Sequence, residues 1–293
     1  MRGYRIAGSL ILALFVSAPA FSTDVGLEFY SQRISRVTQD LVDAIRPTLD
    51  PHAQEVLDDI EFLVPLTWET NADARRVFAT RRIVEFNAGF LAVTDWLALA
   101  MIADWAGHNG CLQEYTNYLA ELSGHNSRRL NRGRDLKQVY DFYGYAAETR
   151  GMCEGALQDT LDDSRAQELR EEMLDAVIAT VLLHEIAHHI LDHVGGMESN
   201  FIQKRMREVS ADRWAFNTAV NANYELRNAV PLFLFIAATG GGTLEDEIRS
   251  SHPSGLHRVR DLLVQTRALL DEKDPVGAHV LDASIDDLNR ALR

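Results

Sequence analysis

The longest regular alternation of apolar and polar positions in the chain runs from about Ser164 to about Val194. Leu169, Met173, Val177, Thr180 and Leu183 recur at helical spacing, and from Val181 to Ile190 only Glu185 and the histidines at 184, 188 and 189 interrupt an apolar run. The pattern predicts one long, buried helix with Ser164 as its N-cap and Gly195-Gly196 as its stop. A second periodic stretch, FIQKRMREVSADRWAFNTAV, begins near Ser199 and folds back on the first as a helical hairpin.

Upstream, residues 25–58 read as an amphipathic helix broken at Pro47 and Pro51 and then resumed. Ile60–Leu66 is a short apolar stretch with the character of a strand. Residues 76–91, rich in aromatic and β-branched side chains, predict one or two short strands with Asn87-Ala88-Gly89 as a turn or bulge. Asp95–Trp105 is a nearly all-apolar helix ended by Gly107, shorter than a bilayer span and therefore a core element. Polar helical runs follow, forming a helical insert over about 107–160, in which Tyr140, Tyr143 and Tyr145 read as packing residues. The run VPLFLFIAA at 230–238 reads as a buried helix, GGG at 240–242 as a loop with the makings of a lid, and HRVRDLLVQTRALLDE as a last helix. The expected fold is mainly α (α+β), with a small β element and one domain over residues 21–293.

Composition changes this picture in three places. Arg2 and Arg5, the apolar run IAGSLILALFV and Ala18-Pro19-Ala20 form a secretory signal peptide over residues 1–20, with an uncleaved membrane anchor as the alternative. The chain is expected to be exported, to the periplasm in a Gram-negative cell. The formal charge is −14, or −16 without those twenty residues, which argues against nucleic acid as a partner. Cys111 and Cys153 could then form a disulfide across the insert in an oxidising compartment.

The chemistry is concentrated in HEIAH. Residues four apart on a helix share a face, so His184 and His188 can converge on one Zn²⁺ while Glu185 acts as general base toward water. A third ligand is needed. Asp192 lies two helical turns, about 12 Å, from His184 and is excluded. His189 and His193 are rotated off the ligand stripe and read as surface histidines near a helix end. Glu208 fits best: it shares a face of the second helix with Asp212, so Glu208 completes a His-His-Glu set and Asp212 accepts the other ring N–H of a ligand, His184.

HExxH followed by ExxxD on the next helix resembles the gluzincin zinc metallopeptidases. EVSAD, with Ser251-His252-Pro253 and then Arg258, is most similar to the M48 peptidase family, the family of membrane and periplasmic quality-control proteases. The resemblance implies a zincin-like fold, with an edge strand beside the zinc helix on which extended peptides lie, for which 76–91 is the candidate. It also implies zinc-dependent hydrolysis of polypeptide substrates, possible work beside a membrane, and a role for His252 in stabilising the oxyanion. The alternatives are an exported chaperone-like or peptide-binding protein on the same scaffold, and a purely structural zinc site, which would normally have four protein ligands.

Overall fold

Proline sets the first boundaries. Helix α1 (Thr23–Ile45) ends in a 3-10 turn at Arg46–Thr48, and α2 (Pro51–Asp58) restarts where Pro51 suits the first helical position. The Asp50 carboxylate caps α2 by accepting from the Ala53 N–H at 2.9 Å. The computed structural model describes residues 23–78, 80–130, 140–148, 151–156, 163–194, 201–224, 226–229, 232, 255–270, 281–282, 285–286 and 289–290. Residues 1–20, expected to be a signal peptide, the GGG loop, His252 and most of the 230–238 run lie outside the described residues.

Three strands follow: β1 (Ile60–Leu63), β2 (Ala72–Val77) and β3 (Arg81–Phe86). Their order is β1-β3-β2, with β1 parallel and β2 antiparallel to β3. The segment 76–91 therefore holds the end of β2, the whole of the central strand β3 and the start of a helix, so the edge strands are β1 and β2 and most of the segment is not an edge. Asn87-Ala88-Gly89 is neither a turn nor a bulge, because α3 (Ala88–Trp105) begins there at once. Gly89 explains how: a Cβ at that position would sit 2.6 Å from Trp68 Cα and 2.7 Å from Thr67 O, so only glycine lets the chain pass so closely.

Helix α3 is buried around its whole circumference from Ala88 to Ala103. Its one carboxylate in that stretch, Asp95, accepts from Arg170 Nε and Nη2 at 2.6 Å each and from Tyr30 Oη at 2.6 Å. That network ties α1 and α3 to the next long helix, since a buried charge is tolerated only when paired and hydrogen-bonded. Helices α4 (Cys111–Leu130) and α5 (Phe142–Glu148) are joined to their surroundings by the disulfide Cys111–Cys153. Tyr115, Leu119, Phe142 and Tyr145 belong to the same apolar core as α3, so this region shares the core. Tyr145 is buried and donates to the Glu114 carboxylate at 2.8 Å, while Tyr140 and Tyr143 pack on the core, as expected of packing residues.

Helix α6 (Ser164–Ile190) is capped by Asp163, one residue before the predicted cap, whose carboxylate accepts from the Arg165 N–H at 2.8 Å. It ends at Ile190, four residues before Val194. Asp192 takes a left-handed conformation with φ 55°, and the Asp192 and His193 N–H groups return to the carbonyls of His189 and His188. That is a Schellman closure, made before the glycines are reached. Helices α7 (Phe201–Asn221) and α8 (Gly255–Leu270) follow, with a 3-10 turn at Arg227–Ala229 between them, and α7 packs along α6 as the predicted hairpin. The architecture is mainly helical with one small sheet, as expected of a zincin-like fold.

Two of these helices, α3 and α6, are long and apolar enough to cross a membrane by length and composition, α3 because it starts seven residues before Asp95. In each, 89% of the apolar window is buried inside the protein, which explains the hydropathy by core packing.

Candidate metal centre

His184, Glu185 and His188 sit on the buried length of α6, which α3 and the sheet cover, and Glu208 and Asp212 sit one turn apart on α7. His184, His188 and Glu208 are the one group among the described residues whose ligand atoms all lie within 4.8 Å of one another, and all three are buried. His184 Nε2 is 3.1 Å from His188 Nε2 and 3.2 Å from Glu208 Oε2, and His188 Nε2 is 3.5 Å from Glu208 Oε1. Ligands about 2.0–2.1 Å from a tetrahedral ion stand about 3.3 Å apart, so the donor set and its spacing fit zinc.

Glu185 is buried on the same helix, and its Oε2 finds no hydrogen-bond partner among the described residues. It borders a small cavity with His184, Ala72 of β2, Phe90 and Arg258. A buried carboxylate with one unpartnered oxygen, lining a cavity beside His184, has the placement of a proton acceptor.

The electrostatics of the metal-free cluster separate its groups. Burial opposes the His184 cation, but the carboxylates of Asp212 and Glu208 outweigh it and hold the imidazole up, at about 10. Burial pushes His188 down to about 3, and the neighbouring His184 charge adds to the effect. Burial raises the Glu185 carboxyl to about 8, against the attraction of His184 and with the repulsion of Glu208. By these shifts His184 and Glu185 both favour their protonated forms, while His188 stays unprotonated and offers a free lone pair.

Sequence reasoning grouped His184, Glu185, His188, Glu208 and Asp212, and the fold brings those five together. Asp212 Oδ1 is 2.8 Å from His184 Nδ1, on the side of the ring away from the ligand cluster. His252 lies outside the described residues. Asp192 is exposed and paired with Arg76 at 2.7 Å, away from the ligands.

Three residues were missed. Arg258 on α8 is buried and grips Asp212 with Nε and Nη2, its Nη2 also lying 3.3 Å from His184 Nδ1. The sequence offered it as the last residue of a motif, without a role. His189 is not a surface residue: it is buried and its Nε2 is 3.0 Å from the Ile83 carbonyl of β3, so α6 is fastened to the sheet one residue past His188. His193 is half-buried, with Nδ1 3.1 Å from His188 Nδ1. Both histidines are held neutral at neutral pH by burial, each at about 4.

A family model described as Peptidase family M48 matches residues 200–266, a span that takes in α7 with Glu208 and Asp212 and most of α8 with Arg258. No curated protein and no solved structure matches the chain. The match shows likeness to M48 metallopeptidases over that stretch, and the placement of His184, His188 and Glu208 on two consecutive helices is consistent with a gluzincin arrangement. Peptidases of this family are metal-dependent.

Proposed function

We propose that this chain is an exported zinc metalloendopeptidase in which His184, His188 and Glu208 hold the metal and Glu185 is the general base. The observation that carries the reading is the convergence of those three buried ligand groups within 4.8 Å, beside a buried carboxylate with an unpartnered oxygen. Bound there, Zn²⁺ supplies Lewis acidity toward water and the scissile carbonyl.

The chain's own residues do the rest. Glu185 takes a proton from the attacking water and returns it to the leaving amine, a shuttle for which its buried, unpartnered carboxylate oxygen is placed. Asp212 fixes the tautomer and direction of His184 by accepting its Nδ1–H. His252 stabilises the oxyanion, a role taken from the SHP resemblance. An extended polypeptide lies along the outer edge of β2, which has no strand partner on that side among the described residues and contributes Ala72 to the cavity wall. Residues 1–20 act as the export signal and 21–293 as one peptidase domain, with envelope polypeptides as the substrates that the resemblance favours.

The test is zinc stoichiometry and casein hydrolysis on the purified chain beside its Glu185→Gln variant. One zinc in each, with cleavage by the native protein alone, is expected. Hydrolysis by the variant removes Glu185 from the mechanism. One zinc in both with no hydrolysis by either supports the peptide-binding alternative.

A further inference from the structure

We propose that His193 is a positioning residue for His188, the middle member of a relay His188–His193–Ser210 that fixes the orientation of the second histidine ligand. The inference rests on the metal-centre reading above and adds to it a residue outside the ligand set.

The donor and acceptor roles can be followed atom by atom. Nε2 of His188 faces His184 and Glu208, so it is the nitrogen that offers its lone pair to a metal. The ring proton must then sit on Nδ1, and a ligand histidine of this kind donates that proton to an orienting group. His193 Nδ1, at 3.1 Å, is the acceptor in place. His193 then carries its own proton on Nε2, which lies 3.4 Å from Ser210 Oγ, and that hydroxyl donates in turn to the Arg207 carbonyl at 2.9 Å. Each ring nitrogen has one role, the Ser210 hydroxyl accepts one bond and donates one, and no atom is asked to donate twice.

The turn that ends α6 is what puts His193 there. On a continuing helix a residue five positions beyond His188 would be about 140° around the axis and 7.5 Å along it. The left-handed Asp192 instead folds the chain back, and His193 N–H bonds to the His188 carbonyl at 2.8 Å. The His193 carbonyl accepts from Arg207 Nη1 at 2.9 Å, and Arg76 of β2 holds Asp192 at 2.7 Å. His193 is thus fixed from α7 and from the sheet, as a rigid support for a ligand should be. Its imidazole meets the side of the His188 ring away from the ligand cluster, which excludes it as the third ligand. The two ligand histidines are then oriented differently, His184 by a carboxylate and His188 by a neutral imidazole.

The experiment measures zinc affinity by chelator competition for the native chain and for His193→Leu, His193→Asn and Ser210→Ala. The visible spectrum of the cobalt-substituted proteins and the thermal midpoint of the metal-free proteins are recorded alongside. Leu removes the acceptor and should weaken zinc about 10- to 100-fold and shift the cobalt bands. Asn places an oxygen near the position of Nδ1 and should recover most of the loss. Ser210→Ala, at an exposed position, should weaken binding about threefold without threatening the fold. Native affinity and an unchanged cobalt spectrum in His193→Leu would overturn the relay; if that variant does not fold, native affinity in Ser210→Ala together with an Asn variant weakened as much as a deletion does so. A native chain that takes up no zinc overturns the metal-centre reading, and the relay with it.

Discussion

Arg258 grips the carboxylate of Asp212 at both oxygens, Nε to Oδ2 at 2.9 Å and Nη2 to Oδ1 at 2.5 Å, and the same Oδ1 faces His184 Nδ1. The side chain of Asp212 therefore spans α8 and α6 from its place on α7, and the third helix is tied in through the carboxylate that faces His184. A bidentate pair fixes direction as well as charge, which a lysine at 258 could not do.

Replacing Arg258 with Met should cost about 1–3 kcal/mol in the metal-free protein and weaken zinc by about tenfold or more, through a freed Asp212. Arg258 acts against burial to hold the Asp212 carboxyl below its ordinary value. A depressed carboxylate contributes stability that is present above its unfolded value, about 3.9, and lost as the pH falls through the folded value. The stability gap between the native chain and Arg258→Met should therefore be widest above about pH 5 and narrow in acid. Urea unfolding at a series of pH values checks this; a gap independent of pH assigns the loss to packing alone.

Glu208→Ala should abolish stoichiometric zinc binding while leaving the helical circular dichroism of the metal-free protein in place. Two histidines alone make a weak site. Chelation of the native protein should lower its thermal midpoint, because a ligand that binds only the folded state stabilises it by mass action. In Glu208→Ala the chelator should have no effect, and a full zinc complement in that variant would exclude Glu208 as a ligand.

Cys111 and Cys153 are both fully buried and close a loop of 42 residues. Loop-closure entropy puts the effect of removing the bridge at about 2–4 kcal/mol. The double variant Cys111→Ala/Cys153→Ala should unfold at lower urea and keep its zinc, since neither cysteine lies among the ligand groups. Loss of zinc at full folding would show that α4 and α5 support the site directly.

Gly89→Ala should destabilise by about 1–3 kcal/mol, because the added methyl meets backbone atoms of Thr67 and Trp68 that cannot rotate away. The Gly89 N–H also donates to the Thr67 carbonyl at 2.9 Å, so any shift that relieves the clash strains this bond. Chemical denaturation of the variant measures the cost, and a native midpoint would show that the 67–68 segment yields freely.

Local rules read along the chain determined much of this protein. The HEIAH helix, the return helix with Glu208 and Asp212 and the breaks at Pro47 and Pro51 all follow from period, spacing and proline geometry, which act within a few residues. So does the grouping of His184, His188 and Glu208, since side-chain faces on two adjoining helices are fixed by the helical repeat. What the tertiary structure decided lies where the chain leaves that repeat. His193 and His189 looked like surface residues on a helix running on to the glycines, but Asp192 ends the helix early and turns His193 back toward His188, while β3 packs against His189. Gly89, read as a turn signal, starts a helix because a segment twenty residues earlier presses against it. Arg258 meets Asp212 across 46 positions of sequence, and no local pattern encodes a bond formed only when α8 docks on α7. The sequence by itself specified which groups share a helical face; the packing of distant segments specified which of them are oriented, neutralised or buried, because those effects depend on neighbours that only the folded chain brings within a few ångströms.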